Sequence, residues 1–235
     1  MYNSSDKPLT PKGEITIKPN IADALRYLGA GENAPDEMRR QVSGMAEMLA
    51  GQLRPRYTCR LFDLTFSGNE IHFAGTGVAL TGRSAHRMLA QCTQAVLLAC
   101  TLGSAFDRML LAEQARDMAR AVILDACGSA YVESGCDAAE EELAARFPDR
   151  FLTDRFSPGY GDLPLSLQPD ICTALDTPRR LGLYVTKSLL LNPVKSVTAI
   201  IGLSDRPQPA RIRGCAYCRM RETCSIHKGG DRCGN

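Results

Sequence analysis

From residue 104 to residue 147 the chain contains no proline and is rich in alanine, leucine, arginine and glutamate. Such residues lose little side-chain freedom in a helix. Gly103 and Pro148 bracket the stretch, so the pattern predicts two consecutive helices, the second ending before Pro148. Glu142 and Arg146 lie one turn apart on the second and read as a solvated face. Helical surface on this scale needs an apolar partner, and the flanking sequence supplies β-type material. Residues 57–66 alternate, Ser67-Gly68-Asn69 can turn and residues 70–73 can return, which together read as a hairpin. Residues 95–101 form a compact apolar run suited to a buried strand, and residues 181–186 and 197–203 are β-like.

Further helices are expected over residues 21–28, 84–92 and 168–175. Another follows Pro35, where Met38, Val42, Met45 and Leu49 recur at helical spacing before Gly51. Helices and strands intersperse without a regular strand–helix–strand alternation. The expected class is therefore α+β, with an antiparallel or mixed sheet and flanking helices.

With 44% apolar and 23% charged residues in 235, the chain has the composition of a folded protein, and collagenous or wholly disordered classes are excluded. Its length permits one large domain or one domain with an appendage. The balance of 28 basic against 26 acidic residues argues against a general nucleic-acid binder. The longest clean apolar run, residues 95–100, falls far short of the roughly 18 residues of a membrane span. Met1-Tyr2-Asn3-Ser4-Ser5-Asp6 has no basic start followed by an apolar stretch, so no secretory signal is expected. The expected location is the cytoplasm.

Six cysteines (Cys59, Cys92, Cys100, Cys127, Cys136, Cys172) are scattered through core-like segments and read as small buried hydrophobes. His72 and His86 read as structural. No Gly-x-Ser-x-Gly elbow is present, and Gly75-Thr76-Gly77 is too short for a phosphate loop.

The segment Arg155-Phe156-Ser157-Pro158-Gly159-Tyr160-Gly161-Asp162-Leu163-Pro164 cannot be regular helix or strand. Glycine at two positions lets the backbone approach a ligand, and Pro158 fixes the loop shape in advance. Arg155 offers a planar fork of donors for a carboxylate, and Tyr160 a ring face with a hydroxyl. An amino-acid-like ligand with a cationic centre matches both. The competing reading is a plain Pro-Gly turn, with Arg155 paired to Asp154 or Asp162.

Arg155-x-x-Pro158-Gly159-Tyr160, followed by Leu191-Asn192-Pro193-Val194-Lys195-Ser196-Val197-Thr198-Ala199, resembles the S-adenosylmethionine-binding activation domain of cobalamin-dependent methionine synthase. The strings RFSPGYGDLPL (155–165) and LLACTLG (97–103) resemble its short, free-standing relatives, and the likeness spans residues 14–204. It implies a C-shaped α+β domain over residues 1–204 that binds S-adenosylmethionine through Arg155, Pro158, Gly159 and Tyr160, with Arg155 on the ligand carboxylate. It also implies a role in reductive methylation of cobalamin held by a partner, a cobalamin-binding methionine synthase subunit or related corrinoid protein. The chain would then be a component of a methyltransferase and not a complete enzyme. The family's second arginine, on the helix before the loop, has no counterpart near Cys127-Gly128-Ser129, and its late tyrosine has no match. With three histidines and no Asp-x-His-x-x-Gly string, the chain itself has no lower axial ligand for cobalamin.

Residues 205–235 read as a linker, Asp205-Arg206-Pro207-Gln208-Pro209, and a cysteine-rich tail. Cys215 and Cys218 can aim two thiolates at one ion from a tight turn, and Cys224 and Cys233 can complete a tetrahedral set. Zinc and an iron–sulfur cluster both suit four sulfurs. Seven basic against three acidic residues there offset the charge of four thiolates. Rescue of cobalamin takes one electron, which a cluster could relay from an electron donor. The alternative remains a zinc or iron–sulfur interaction or electron-transfer protein serving another corrinoid system, in which the loop is only a turn.

Overall fold

The computed structural model describes residues 17–207. The tail cysteines Cys215, Cys218, Cys224 and Cys233 lie outside the described residues.

Two N-terminal helices open the fold. Helix α1, Ile21–Tyr27, starts where the Asn20 side chain accepts from the Ala22 and Asp23 amides at 2.9 and 3.3 Å. Helix α2, Asp36–Gln52, follows Pro35 and buries Val42, Met45 and Leu49 as their spacing requires. Strands β1, Arg56–Ser67, and β2, Glu70–Phe73, form the expected hairpin, with Gly68 at φ 57° in its turn. Strand β3, Ala79–Thr81, and helix α3, Arg83–Leu89, lead to β4, Cys92–Thr101. Helices α4, Ser104–Gln114, and α5, Met118–Arg146, occupy the proline-free stretch, and Asp117 caps α5 by accepting from Ala119 and Arg120. Then come β5, Phe151–Leu152; α6, Gln168–Leu175; α7, Thr177–Leu181; β6, Tyr184–Val185; β7, Leu191–Asn192; and β8, Ser196–Ser204.

The main sheet has the order β3-β2-β1-β4-β8-β5, every recorded pairing antiparallel, and β6 and β7 form a separate pair. Its centre explains the long apolar run. All of residues 95–101 are buried, because helices cover both faces. Side chains alternate along a strand, so Val96, Leu98 and Cys100 join one core with α1, α2 and α5. Ala95, Leu97 and Ala99 join another with α3 and α6. An antiparallel strand thus carries the continuous apolar sequence more usual in parallel sheets.

Helix α5 lies close to the sheet because it carries glycine on the inward side. A Cβ at Gly135 would fall 2.6 Å from Pro55 and 2.9 Å from the Cys100 sulfur. The six described cysteines are all buried and free.

Two sequence expectations are modified. The β-like segment at residues 181–186 contributes only Tyr184–Val185 to a strand, because Leu181 ends α7 and Gly182 takes a left-handed conformation. Helix α7 is separated from α6 by Asp176 at φ 53°. Glu142 does not simply face solvent: it accepts from the Tyr57 hydroxyl at 2.5 Å, while Arg146 stands 3.7 Å away.

Candidate ligand-binding site

The loop after β5 is aimed by the last strand. Thr153 N–H donates to the Gly202 carbonyl at 2.9 Å, and Phe156 and Ile200 exchange backbone hydrogen bonds at 3.1 and 2.8 Å. Phe156 is buried in the α3/α6 core. Successive side chains on an extended segment point to opposite faces, so Arg155 turns the other way, toward α5.

There it meets Glu133, Asp137 and Glu140, which share one face of α5 at successive turns. Arg155 Nη2 donates to Glu133 Oε2 at 2.7 Å and to Asp137 Oδ1 at 3.0 Å, and Nη1 donates to Glu140 Oε1. The Arg155 side chain is 4% exposed. Burial opposes its charge, but Cys136, Glu140, Glu133 and Asp137 outweigh it and hold the guanidinium above its ordinary pKa. The pairing with Asp154 or Asp162 weighed from the sequence gives way to this three-carboxylate clasp.

Pro158 is buried, while Gly159 and Tyr160 are exposed, Tyr160 to 62%. Gly159, at φ 94°, donates to the Leu163 carbonyl at 2.8 Å, closing a tight turn. The Asp162 carboxylate accepts from the Arg83 and Ser84 amides at 2.7 and 3.1 Å, supplying α3 with a cap from outside its own sequence. The Ser84 side chain and these amides hold that carboxyl below its usual range, although burial opposes them.

A cleft of about 310 Å³ has Glu133 in its wall, between α5 and the link from β7 to β8; it is lined by Tyr27, Ser129, Glu133 and Lys195, with Val132 and residues 194–197. A second cleft, of about 400 Å³, shares Tyr27 and Ser129 with it and runs over the exposed Met118 and Val122. The link is firmly held. Val194 N–H donates to the Asp107 carboxylate at 3.2 Å, and Leu102 N–H to the Lys195 carbonyl at 3.0 Å. The Lys195 ammonium donates to Ser129 Oγ at 2.8 Å and pairs with Asp125 at 2.9 Å. Pro158, Gly159 and Tyr160 line neither cleft. Arg155 reaches the first only through Glu133.

Sequence reasoning missed Glu133, Asp137, Glu140 and Lys195. Residues 133–140 hold acids at one-turn spacing with no basic residue among them. Such a face lacks its own compensating charge and signals a cation from elsewhere. Across Asp125, Glu133, Asp137, Glu140, Arg155 and Lys195, four carboxylates meet two cations, a formal excess of two negative charges. Among the described residues no group of His, Cys, Asp and Glu is placed to hold a metal ion, and no helix is long and apolar enough to cross a membrane.

An antiparallel sheet covered by helices on both faces, with a Pro-Gly loop clamped to its last long strand, defines an α+β fold that has a solved counterpart. That counterpart is the crystal structure of the MetH reactivation domain bound to AdoHcy. It superposes with a TM-score of 0.67 at 14% identity, covering 91% of this chain and 86% of that one. The fold implied by the sequence resemblance is the fold observed. No family model and no curated protein matches the sequence.

Proposed function

We propose that this protein binds S-adenosylmethionine in the cleft between α5 and the β7–β8 link, and presents its methyl group to cobalamin held by a separate cobalamin-dependent methionine synthase or related corrinoid protein. One observation carries the reading. The bond from Arg155 to Glu133 joins the Arg-x-x-Pro-Gly-Tyr loop to the wall of a cleft within the roughly 300–1,000 Å³ of small-molecule sites. The solved domain of the same fold binds AdoHcy, the demethylated form of this ligand.

The charge of the site fits the chemistry. The ligand carries a sulfonium, an ammonium and a carboxylate, one positive charge in all, and the surroundings carry a negative excess. Methyl transfer breaks the carbon–sulfur bond and forms a bond from the methyl carbon to the acceptor, releasing a neutral thioether, so no proton has to move. A corrin held by the partner, once reduced by one electron from a separate donor, would supply that acceptor. This chain's contribution is to hold the sulfonium with its methyl directed outward. Pro158, Gly159 and Tyr160, which lie outside the cleft lining, are kept as the ligand contacts that the motif resemblance implies. Cys215, Cys218, Cys224 and Cys233 are assigned to an iron–sulfur cluster or zinc.

Calorimetry tests the reading: S-adenosylmethionine should bind the full chain, and the chain should restore turnover to an oxidised synthase lacking its own activation module. Absence of binding heat abandons it in favour of a tail-centred electron-transfer role. Iron and sulfide analysis of anaerobically purified protein decides the tail, and one zinc per chain without visible absorption ends the redox version.

A further inference from the structure

An amino-acid ligand needs one cation for its carboxylate and one anion for its ammonium. Arg155, the residue the motif offers as the cation, is poorly placed for that task. Its side chain is 4% exposed, it is absent from the cleft lining, and both terminal nitrogens already donate to carboxylates of α5. Its cost of release is also high, since freeing it would leave Glu133, Asp137 and Glu140 facing one another.

A different cation lines the cleft. Lys195 is 11% exposed at its side chain, and its backbone is fixed by the Leu102 amide. An ammonium has three donors. Two are directed to Ser129 and Asp125. Ser129 and Glu133 are four residues apart on α5, hence stacked on one face about 5–6 Å apart at Cβ. Lys195 Nζ stands 2.8 Å from Ser129, one turn before Glu133 on α5, and Lys195, Ser129 and Glu133 all line the same cleft. An amino acid carries its carboxylate and its ammonium on one carbon, so a cation and an anion lining one cleft can take one group each.

We infer that Lys195 is the group that reads the ligand carboxylate, and that Arg155 is a positioning residue that holds Glu133 toward the ligand ammonium. The inference rests on the S-adenosylmethionine reading above and reassigns the contacts within it. It gives the two cations different signatures. Loss of Lys195 removes recognition of one ligand group, whereas loss of Arg155 loosens the anionic side of the site for any cationic ligand.

The test is calorimetry of the full chain with S-adenosylmethionine and with its decarboxylated analogue, which keeps sulfonium and ammonium. The wild type should prefer the carboxylate-bearing ligand by about 10- to 100-fold. Lys195→Met should abolish that preference by weakening S-adenosylmethionine alone, Lys195→Arg should keep most of it, and Arg155→Met should weaken both ligands alike. Equal weakening of both ligands by Lys195→Met, no weakening of either, or a carboxylate-specific loss in Arg155→Met overturns the assignment. So does a wild type without preference, a readout that stands even if a variant misfolds. A wild type that binds neither ligand sinks the S-adenosylmethionine reading itself, and the two failures are thereby told apart.

Discussion

Replacing Arg155 with methionine keeps most of the side-chain volume and removes the charge that three carboxylates share. Breaking a buried ion pair by deleting one partner costs about 3–5 kcal/mol. Here the figure is reduced by water: Glu133 is 37% and Asp137 56% exposed at the side chain, though Glu140 is only 25%. The expected loss is therefore about 2–3 kcal/mol. For a domain of this size that lowers the melting midpoint by about 5–10 °C. The mechanism makes a second demand. Glu140→Gln should destabilise the wild type but relieve the Arg155→Met background, so urea unfolding of the four proteins should return a coupling of about 1–2 kcal/mol. A variant as stable as the wild type, or additive single changes, would refute the clasp and return Arg155 to the pool of groups free to meet a ligand.

Two glycines in helices should respond oppositely to alanine. Gly135→Ala drives a Cβ into Pro55 and Cys100 and should cost about 1–2 kcal/mol net of its helix-propensity gain. Gly44→Ala, with nothing within 4 Å, should gain about 0.5–1 kcal/mol; thermal melts of the pair decide, and a shared sign would show that the close approach is not what matters. Burial pushes the thiols of Cys59 and Cys127 up to about 12 and that of Cys92 up to about 11. At pH 8 these groups are protonated and should resist maleimide until the chain unfolds. Peptide mapping that finds them modified in the native protein as fast as in denaturant contradicts that burial.

The sequence made the largest elements legible because they are long enough for their periodicity to repeat. The central run of β4, the hairpin around Gly68, and the paired helices α4 and α5 all fall where local pattern and burial agree. Strands β3, β5, β6 and β7 are two or three residues long, too short for any alternation to register. The motif loop was legible as a loop, but its charge pairing was not. Neighbours in sequence suggested Asp154 or Asp162, whereas the bonds from Phe156 to Ile200 decide which way the segment faces and deliver Arg155 to α5. Lys195 stood inside a recognised string without any sign of its role, since only the fold brings it beside Ser129 and Asp125.

The placement of β8 has a consequence for how the protein is made. It pairs with β4 along nearly its whole length, separates β4 from β5, and supplies the backbone that pins the loop bearing Arg155. Synthesis proceeds from the N-terminus, and the strand that completes the sheet is the last of the described elements to leave the ribosome. Until it arrives, the apolar edge of β4 stands open and the arginine has no fixed direction. Completion of the framework and orientation of the arginine-bearing loop thus both wait on the same late segment of the nascent chain.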